Sequence, residues 1–425
     1  MTQLMNKKQE IKNRIDLINK GEVPEGYKKR FGYIVPNDWD IVPIKKVVTQ
    51  VHRSVDKPNE PYYRLSVRSH AKGTFHSFVE DPESVAMEEL YKVKENDLIV
   101  NITFAWEHAI AIVKKEDDGL LVSHRFPTYE FNNNACVKFY ENIIKFSRIK
   151  KMLGDMSPGG AGRNRVLNQT DFYNKLYIPY TNRKEQEKIA EILSCCDKAI
   201  ELKEKLLNER HKEKSYILNN LLQNFQKEKI VKLIDIADVI TKGTTPSSFD
   251  ISGEIKYIKI ESIINNVIDN DKCMHITKKI NDKELARSVL KENDILFGIA
   301  GALGTCAIVK KINLPANTNQ ALAIIRINSK FADINFINLV LCSKLMKKYI
   351  YLNNTGGAQP NLNLEQISNF KLPLPILNKQ IEASRILDLI NRKISLLNEE
   401  LEQYKQLKKA LSQLLLTGIV RVNEV

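Results

Sequence analysis

The sequence carries one long internal repeat. Lys94-Glu95-Asn96-Asp97 ahead of Leu98-Ile99-Val100 returns as Lys291-Glu292-Asn293-Asp294 ahead of Ile295-Leu296-Phe297, 197 residues later. Gly159-Gly160-Ala161 returns as Gly356-Gly357-Ala358 at the same offset, and Gln186–Leu193 aligns with Gln380–Leu387 at an offset of 194. Solenoid repeats have periods of about 20–50 residues, so the repeating unit here is a whole domain followed by a helix. Two copies of one module in one chain suggest a molecule that reads two sites on one partner at a fixed distance.

The helix that closes each copy is legible from its apolar spacing. From Ile189, steps of four and three give Ile189, Leu193, Cys196, Ile200, Lys203, Leu207, Arg210, Lys214, Ile217 and Leu221, of which seven of ten are apolar. The matching series Ala383, Leu387, Ile390, Ile394, Leu397, Leu401, Tyr404, Lys408, Leu411 and Leu415 has nine apolar members. A mean step of 3.5 residues is a coiled-coil seam, and Glu and Lys fill its flanks. Helices of about 40 residues, roughly 60 Å long at 1.5 Å per residue, need a partner along the seam, and the repeat offers each the other, in antiparallel pairing. Leu4, Ile11, Ile15 and Ile18 keep the same stripe in a shorter opening helix ended by Gly21. The expected organisation is an N-terminal helix (1–20), a first globular domain (21–182), a central helix (183–226), a second globular domain (227–377) and a C-terminal helix (378–425).

Charge separates these parts. The net charge is +14. Residues 184–229 hold 10 Lys/Arg against 9 Asp/Glu and residues 378–425 hold 8 against 6, which leaves +11 on 1–183 and 230–377. The basic excess therefore belongs to the globular halves, which favours a polyanionic partner. No stretch reaches the ~18 apolar residues of a membrane span, and residues 1–8 do not open a signal peptide, so a cytoplasmic location and no membrane partner are expected. The six cysteines form no CxxC pair and predict neither a zinc site nor a disulfide framework.

Both halves read as short strands mixed with a few helices. Leu98–Thr103 is strand-like, Ala109–Val113 is joined to Leu120–Ser123 by a turn ending in Asp118-Gly119, and Thr305–Val309 and Ala321–Ile327 are strand-like in the second half. Catalytic signatures are missing: there is no GxGxxG after a strand, no GxxxxGK[ST], no HExxH and no GxSxG. Gly298–Gly304 lacks the lysine of a phosphate loop, and no acidic-Pro-Pro-aromatic tetrapeptide is present to hold a target base. What the halves do carry is a vocabulary for contacting DNA phosphates and base edges. In the first half it comprises Arg64, Arg68, His70, Lys72, Arg163, Asn164 and Arg165, with Trp106 and His108 as a polar contact surface. In the second it is richer in amides: Lys242, Thr244, Thr245, Asn317, Asn319, Gln320, Gln359 and Asn361.

These landmarks, in this order and twice over, resemble the specificity subunits of type I restriction-modification systems. The carriers are Gly26-Tyr27-Lys28 with Pro36-x-x-Trp39, Lys242-Gly243-Thr244-Thr245-Pro246, the Asn-Asp-apolar steps at 96–99 and 293–296, Thr318-Asn319-Gln320, Gly356-Gly357-Ala358-Gln359, and the exits Ile178-Pro179…Gln186-x-x-Ile189 and Leu374-Pro375…Gln380…Ile386-Leu387. The resemblance implies an α+β chain of two mixed α/β target-recognition domains joined by two long antiparallel coiled-coil helices, in a pseudo-two-fold internal repeat. Each domain would read one half of a split target in double-stranded DNA, with the helices as a ruler. It also implies a subunit that is no enzyme and binds no cofactor or metal of its own. Such a subunit recruits two modification subunits, which methylate adenine with S-adenosylmethionine, and restriction subunits, which use ATP and Mg to translocate and cut DNA. Two features depart from the family pattern: Lys203, Arg210 and Lys214 lie on the first seam, and Asn96 and Asn293 stand where Gly is commoner. The rivals are a divergent DNA methyltransferase or nuclease with its own active site, which S-adenosylmethionine binding by the isolated chain would reveal, and a structural helical linker, which the basic halves disfavour.

Overall fold

A computed structural model describes residues 2–160, 164–225, 227–353 and 361–422. The chain forms two compact units, Met1–Lys203 with Glu400–Val425, and Glu204–Glu399. In the first, a four-stranded antiparallel sheet has the order Ile110–Ile112, Leu98–Val100, Thr128–Phe131, Val48–Val51. A five-stranded sheet runs Ser54–Asp56, Glu89–Lys92, Leu121–Val122, Tyr62–Val67, Thr74–Val79. In the second, the four-stranded sheet has the order Cys306–Ile308, Ile295–Gly298, Leu322–Ile327, Ala237–Lys242, beside a three-stranded sheet of Met274–Ile276, Ile255–Ile258 and Ala316–Thr318. Among the described residues each unit then adds three short helices and a last strand, Tyr177–Tyr180 or Lys371–Pro373, before a long helix, Arg183–Phe225 or Leu377–Leu415. The duplication is thus one α+β topology built twice.

The repeated sequence landmarks coincide with places where backbone chemistry leaves little choice. Asn96 and Asn293 have positive φ, and each amide donates to a carbonyl across the turn, Val113 O and Val309 O, both at 2.8 Å. The following aspartates, Asp97 and Asp294, are buried, and each accepts from the amide three residues before it, Lys94 N at 2.9 Å and Lys291 N at 2.7 Å. A carboxylate taken out of water needs a counter-ion. Arg53, in the link between Val48–Val51 and Ser54–Asp56, supplies it bidentately in the first copy (2.5 and 3.1 Å), and Arg326, on the strand Leu322–Ile327, in the second (2.7 and 2.8 Å). The glutamines at the helix exits are equally fixed. Gln186 accepts from Cys136 N and donates to Thr181 O, and Gln380 accepts from Asp333 N and donates to Pro375 O, all at 2.7–2.8 Å.

All ten seam positions from Ile189 to Leu221 are buried or half-buried, as are nine of the ten from Ala383 to Leu415. Within the first unit the pairing is antiparallel: Lys203 bonds Glu400 at 2.6 Å, whereas Asp197, further toward the helix start, meets Lys408. The lysine on the seam is accommodated rather than buried bare, because its ammonium also lies 4.9 Å from the centre of the Tyr404 ring. Ile189, Leu193, Leu415 and Leu416 enter the first unit's core around Trp39, whose indole donates to Glu185 at 2.9 Å. Leu222, Phe225 and Ala383 enter the second around Phe297 and Phe336.

The strands on either side of Asp118-Gly119 do not pair with each other: Ile110–Ile112 joins the four-stranded sheet and Leu121–Val122 the five-stranded one. The link is stitched by Asp117, whose carboxylate accepts from Thr74 and faces His76 Nε2, both at 2.7 Å, on a third strand.

Candidate nucleic-acid interface

In the first unit most of the predicted contact residues fall on one surface. The hairpin of Tyr62–Val67 and Thr74–Val79 closes at Val67↔Thr74, and its turn, residues 68–73, places His70 (φ 63), Ala71 (φ 51) and Gly73 (φ 84) in the left-handed region. The strain of two successive non-glycine residues there is held by His70 N to Glu107 O and Ala71 N to His108 O, both at 2.8 Å, and by Ser69 Oγ to Glu107 at 2.6 Å. Arg68, His70 and Lys72 are exposed on this turn. Arg68 caps Thr74 O at 2.6 Å and lies 5.1 Å from the centre of the Phe75 ring, so its fork is oriented before any ligand arrives. Arg64 is half-buried on the strand below.

The turn's anchor, 105–108, leads to the other residues. The Arg165 guanidinium lies over Trp106 at 5.2 Å and donates to Ser157 O and Gly154 O. Asn164 is exposed beside it, and Arg163 lies outside the described residues. His108 is a correction: it is 4% exposed, in the left-handed region, and its Nε2–H donates to Ile144 O at 2.7 Å. Burial pushes its pKa below the ordinary histidine value, against the pull of the Ile144 carbonyl, and nearby Lys150 and His70 push the same way. It braces the loop and leaves the candidate contact set.

The second unit gathers its candidates on two adjoining turns. Gly243 N donates to Leu322 O and Thr244 N to Thr318 O, at 3.2 and 3.1 Å. A Cβ on Gly243 would stand 2.1 Å from Thr318 O, so the approach requires glycine. Thr245 Oγ1 donates to Gln320 at 2.6 Å and Arg287 to Thr244 Oγ1 at 3.3 Å, with Lys242 and Gln320 exposed and Asn319 half-buried. Asn361, exposed, joins them because Leu362 N bonds Ile299 O and Ile299 N bonds Ala321 O, both at 2.9 Å. Asn317 is a second correction: fully buried, it donates to Asn281 and Leu285 O and accepts from Thr318 N, so no edge remains for a base. Gln359 lies outside the described residues.

The same ladder exists in the first unit, where Leu167 N bonds Ile102 O and Ile102 N bonds Arg125 O at 2.9 and 3.0 Å. Arg125 therefore occupies the place of Ala321, and His124 that of Gln320, both exposed. Sequence reading missed this pair, and only alignment of the two strand ladders brings it out. Among the described residues no cluster of His, Cys, Asp and Glu could hold a metal ion.

Comparison with known proteins gives a consistent picture. The profile of the type I restriction modification DNA specificity domain matches residues 37–210 and again 226–406. The type I restriction enzyme MjaVIII specificity subunit of Methanocaldococcus jannaschii is 26% identical over 94% of this chain and 97% of its own length. The EcoBI specificity subunit of Escherichia coli is 31% identical over 34% of this chain and 30% of its own. Among solved structures, the HsdS subunit from Thermoanaerobacter tengcongensis has a TM-score of 0.53 at 17% identity, covering 92% of this chain and all of that one. The type I restriction-modification S subunit from M. genitalium has a TM-score of 0.54 at 15% identity, covering 91% and 97%.

Proposed function

This chain belongs to the type I restriction modification DNA specificity family, and from that premise we propose that it reads a bipartite target in double-stranded DNA, one half-site per unit. The observation that carries the reading is the paired ladder, Leu167–Ile102–Arg125 and Leu362–Ile299–Ala321, which sets an equivalent surface of cationic and amide side chains in each copy. In the first unit Arg68, His70, Lys72, Arg125 and Arg165 face solvent wholly or in part, with Arg64, Trp106 and Asn164 around them. In the second Lys242, Thr244, Thr245, Asn319, Gln320 and Asn361 form the counterpart. The first set suits guanine edges and phosphate, the second adenine edges, so the two half-sites differ.

The chain supplies recognition and the chemistry comes from elsewhere. Two modification subunits carrying S-adenosylmethionine methylate adenine at the site this subunit selects. Restriction subunits using ATP and Mg translocate and cut unmodified DNA. All of this takes place in the cytoplasm; among the described residues no helix is long and apolar enough to cross a membrane.

Methylation mapping in cells that express the chain with its modification partner tests the reading. A split motif with two unlike half-sites is expected. With about six phosphates neutralised, log K for the purified complex should fall against log salt with a slope near −5. Methyl transfer by the chain alone, at a rate a modification subunit does not change, would overturn it.

A further inference from the structure

The pairing of the smaller sheets identifies a connection that is equivalent in the two copies and differently built. In the first unit Tyr62–Val67 runs parallel to Leu121–Val122 and antiparallel to Thr74–Val79, and Arg64 lies opposite Leu121 and Ser77. In the second, Ile255–Ile258 runs parallel to Ala316–Thr318 and antiparallel to Met274–Ile276, and Lys256 lies opposite Ala316 and His275. The segment joining the antiparallel pair is therefore the same topological element in both. In the first copy it is the turn 68–73, which carries Arg68, His70 and Lys72. In the second it is 259–273, long enough to hold a hairpin of its own, Ile263–Ile264 against Val267–Ile268. Both connections also lie along the edge strand of the four-stranded sheet. The turn 68–73 bonds Glu107 and His108 just ahead of Ile110–Ile112, and Val267–Ile268 lies against Cys306–Ile308.

This second hairpin has a fixed foot and an open tip. Ile263 and Ile268 are buried with Ile258, Leu296 and Ala307. Ser262, buried at the foot, donates to Lys272 O at 3.0 Å and accepts from Asp269 N at 2.8 Å. Asn265 (φ 51) and Asn266 (φ 64) make the left-handed two-residue turn that suits a tight hairpin. Both are exposed, as are Ile264 and Val267 beside them at 37% and 57%. A two-stranded ribbon fits a major groove about 12 Å wide, where an asparagine amide pairs bidentately with adenine and an aliphatic side chain meets the thymine methyl. An amide tip flanked by exposed aliphatics on a ribbon rooted in the core has the chemistry of an A·T reader.

We propose that the Ile263–Ile268 hairpin is a further base-reading element of the second unit, beside Asn319, Gln320 and Asn361, with Asn265 and Asn266 contacting A·T pairs in the major groove of that unit's half-site. The inference rests on the DNA-reading function proposed above. Its test is the full chain assembled with its modification partner, in three forms: wild type, Asn265→Gly with Asn266→Gly, and Arg68→Ala. The double glycine variant keeps the positive-φ turn and removes only the amides. Methylation mapping should show relaxed discrimination at one or two A·T positions of one half-site, by about tenfold or more at each, with the other half-site unchanged. Arg68→Ala should relax the opposite half-site. Wild-type stringency in the glycine variant would overturn the proposal, and so would an equal loss at both half-sites. A second variant guards against misfolding: Asn266→Asp keeps the turn and replaces a donor with an acceptor, so the preferred base should change, and an unchanged motif counts against the proposal. If the wild-type complex itself shows no split motif, the DNA-reading function fails, which is distinct from a normal wild-type motif that the hairpin variants leave intact.

Discussion

Asn96 and Asn293, 197 residues apart in sequence, share one backbone conformation, φ 71 and φ 72. Each sits one residue before a buried aspartate and donates to a carbonyl across the turn. The left-handed region costs a side-chain-bearing residue roughly 1–2 kcal/mol, which glycine avoids and asparagine tolerates better than most. That is why asparagine can stand where the family pattern more often has glycine.

Asn96→Ala or Asn293→Ala should therefore destabilise its unit by about 1 kcal/mol, while Asn→Gly at either position should lie within about 0.5 kcal/mol of wild type. Chemical denaturation of the four variants checks this. Equal losses for alanine and glycine would show that the asparagine side chain, not the backbone angle, is what matters.

The buried aspartate after each asparagine makes a sharper prediction. Asp294 is 0% exposed and receives two hydrogen bonds from Arg326, whose own ionisation that carboxylate favours. Removing the arginine alone strands a buried charge, a loss of about 3–5 kcal/mol. Arg326→Met should destabilise by that order, and adding Asp294→Asn should recover part of it, measured as a double-mutant cycle.

His108 gives a pH dependence of known sign. Burial holds its folded pKa below the unfolded value, so below about pH 6.5 the unfolded chain takes up a proton the folded chain refuses. Its contribution is present above that pH and is lost as pH falls toward the folded value. His108→Asn suits the left-handed backbone and does not titrate. The wild-type minus variant stability should be larger at pH 7.5 than at pH 5.5; a difference that is flat or grows on acidification would rule out a buried neutral histidine.

The repeat, the seam and the helix exits were legible in the sequence because each depends on residue types that backbone chemistry dictates. A positive-φ turn wants asparagine or glycine, a buried helix start wants a side chain that both donates and accepts, and a long exposed helix shows its stripe. The contact residues were less legible because the same types serve inside and outside. Asn317 and Asn319 look alike on paper, yet one is fully buried among Asn281, Leu285 and Thr318 and the other reaches the surface. The Asn265-Asn266 hairpin escaped notice because its strands are two residues each, too short for any alternation to register. Arg125 emerges only when the two ladders are superposed.

The long helices should set the spacing of the half-sites and leave their sequences alone. Lys203 with Glu400 and Asp197 with Lys408 fix an antiparallel register, so lengthening one helix alone would leave seven residues without a partner. Matched insertions of one heptad, after Leu207 and after Leu397, keep both stripes in phase and add about 10 Å of helix. At 3.4 Å per base pair that corresponds to roughly three base pairs. In the proposed function the non-specific gap should grow by about that amount, with both half-sites read as before, when methylation is mapped in cells carrying the lengthened subunit and its partners. A folded, active subunit whose gap stayed the same would mean that something other than these helices holds the two reading surfaces apart.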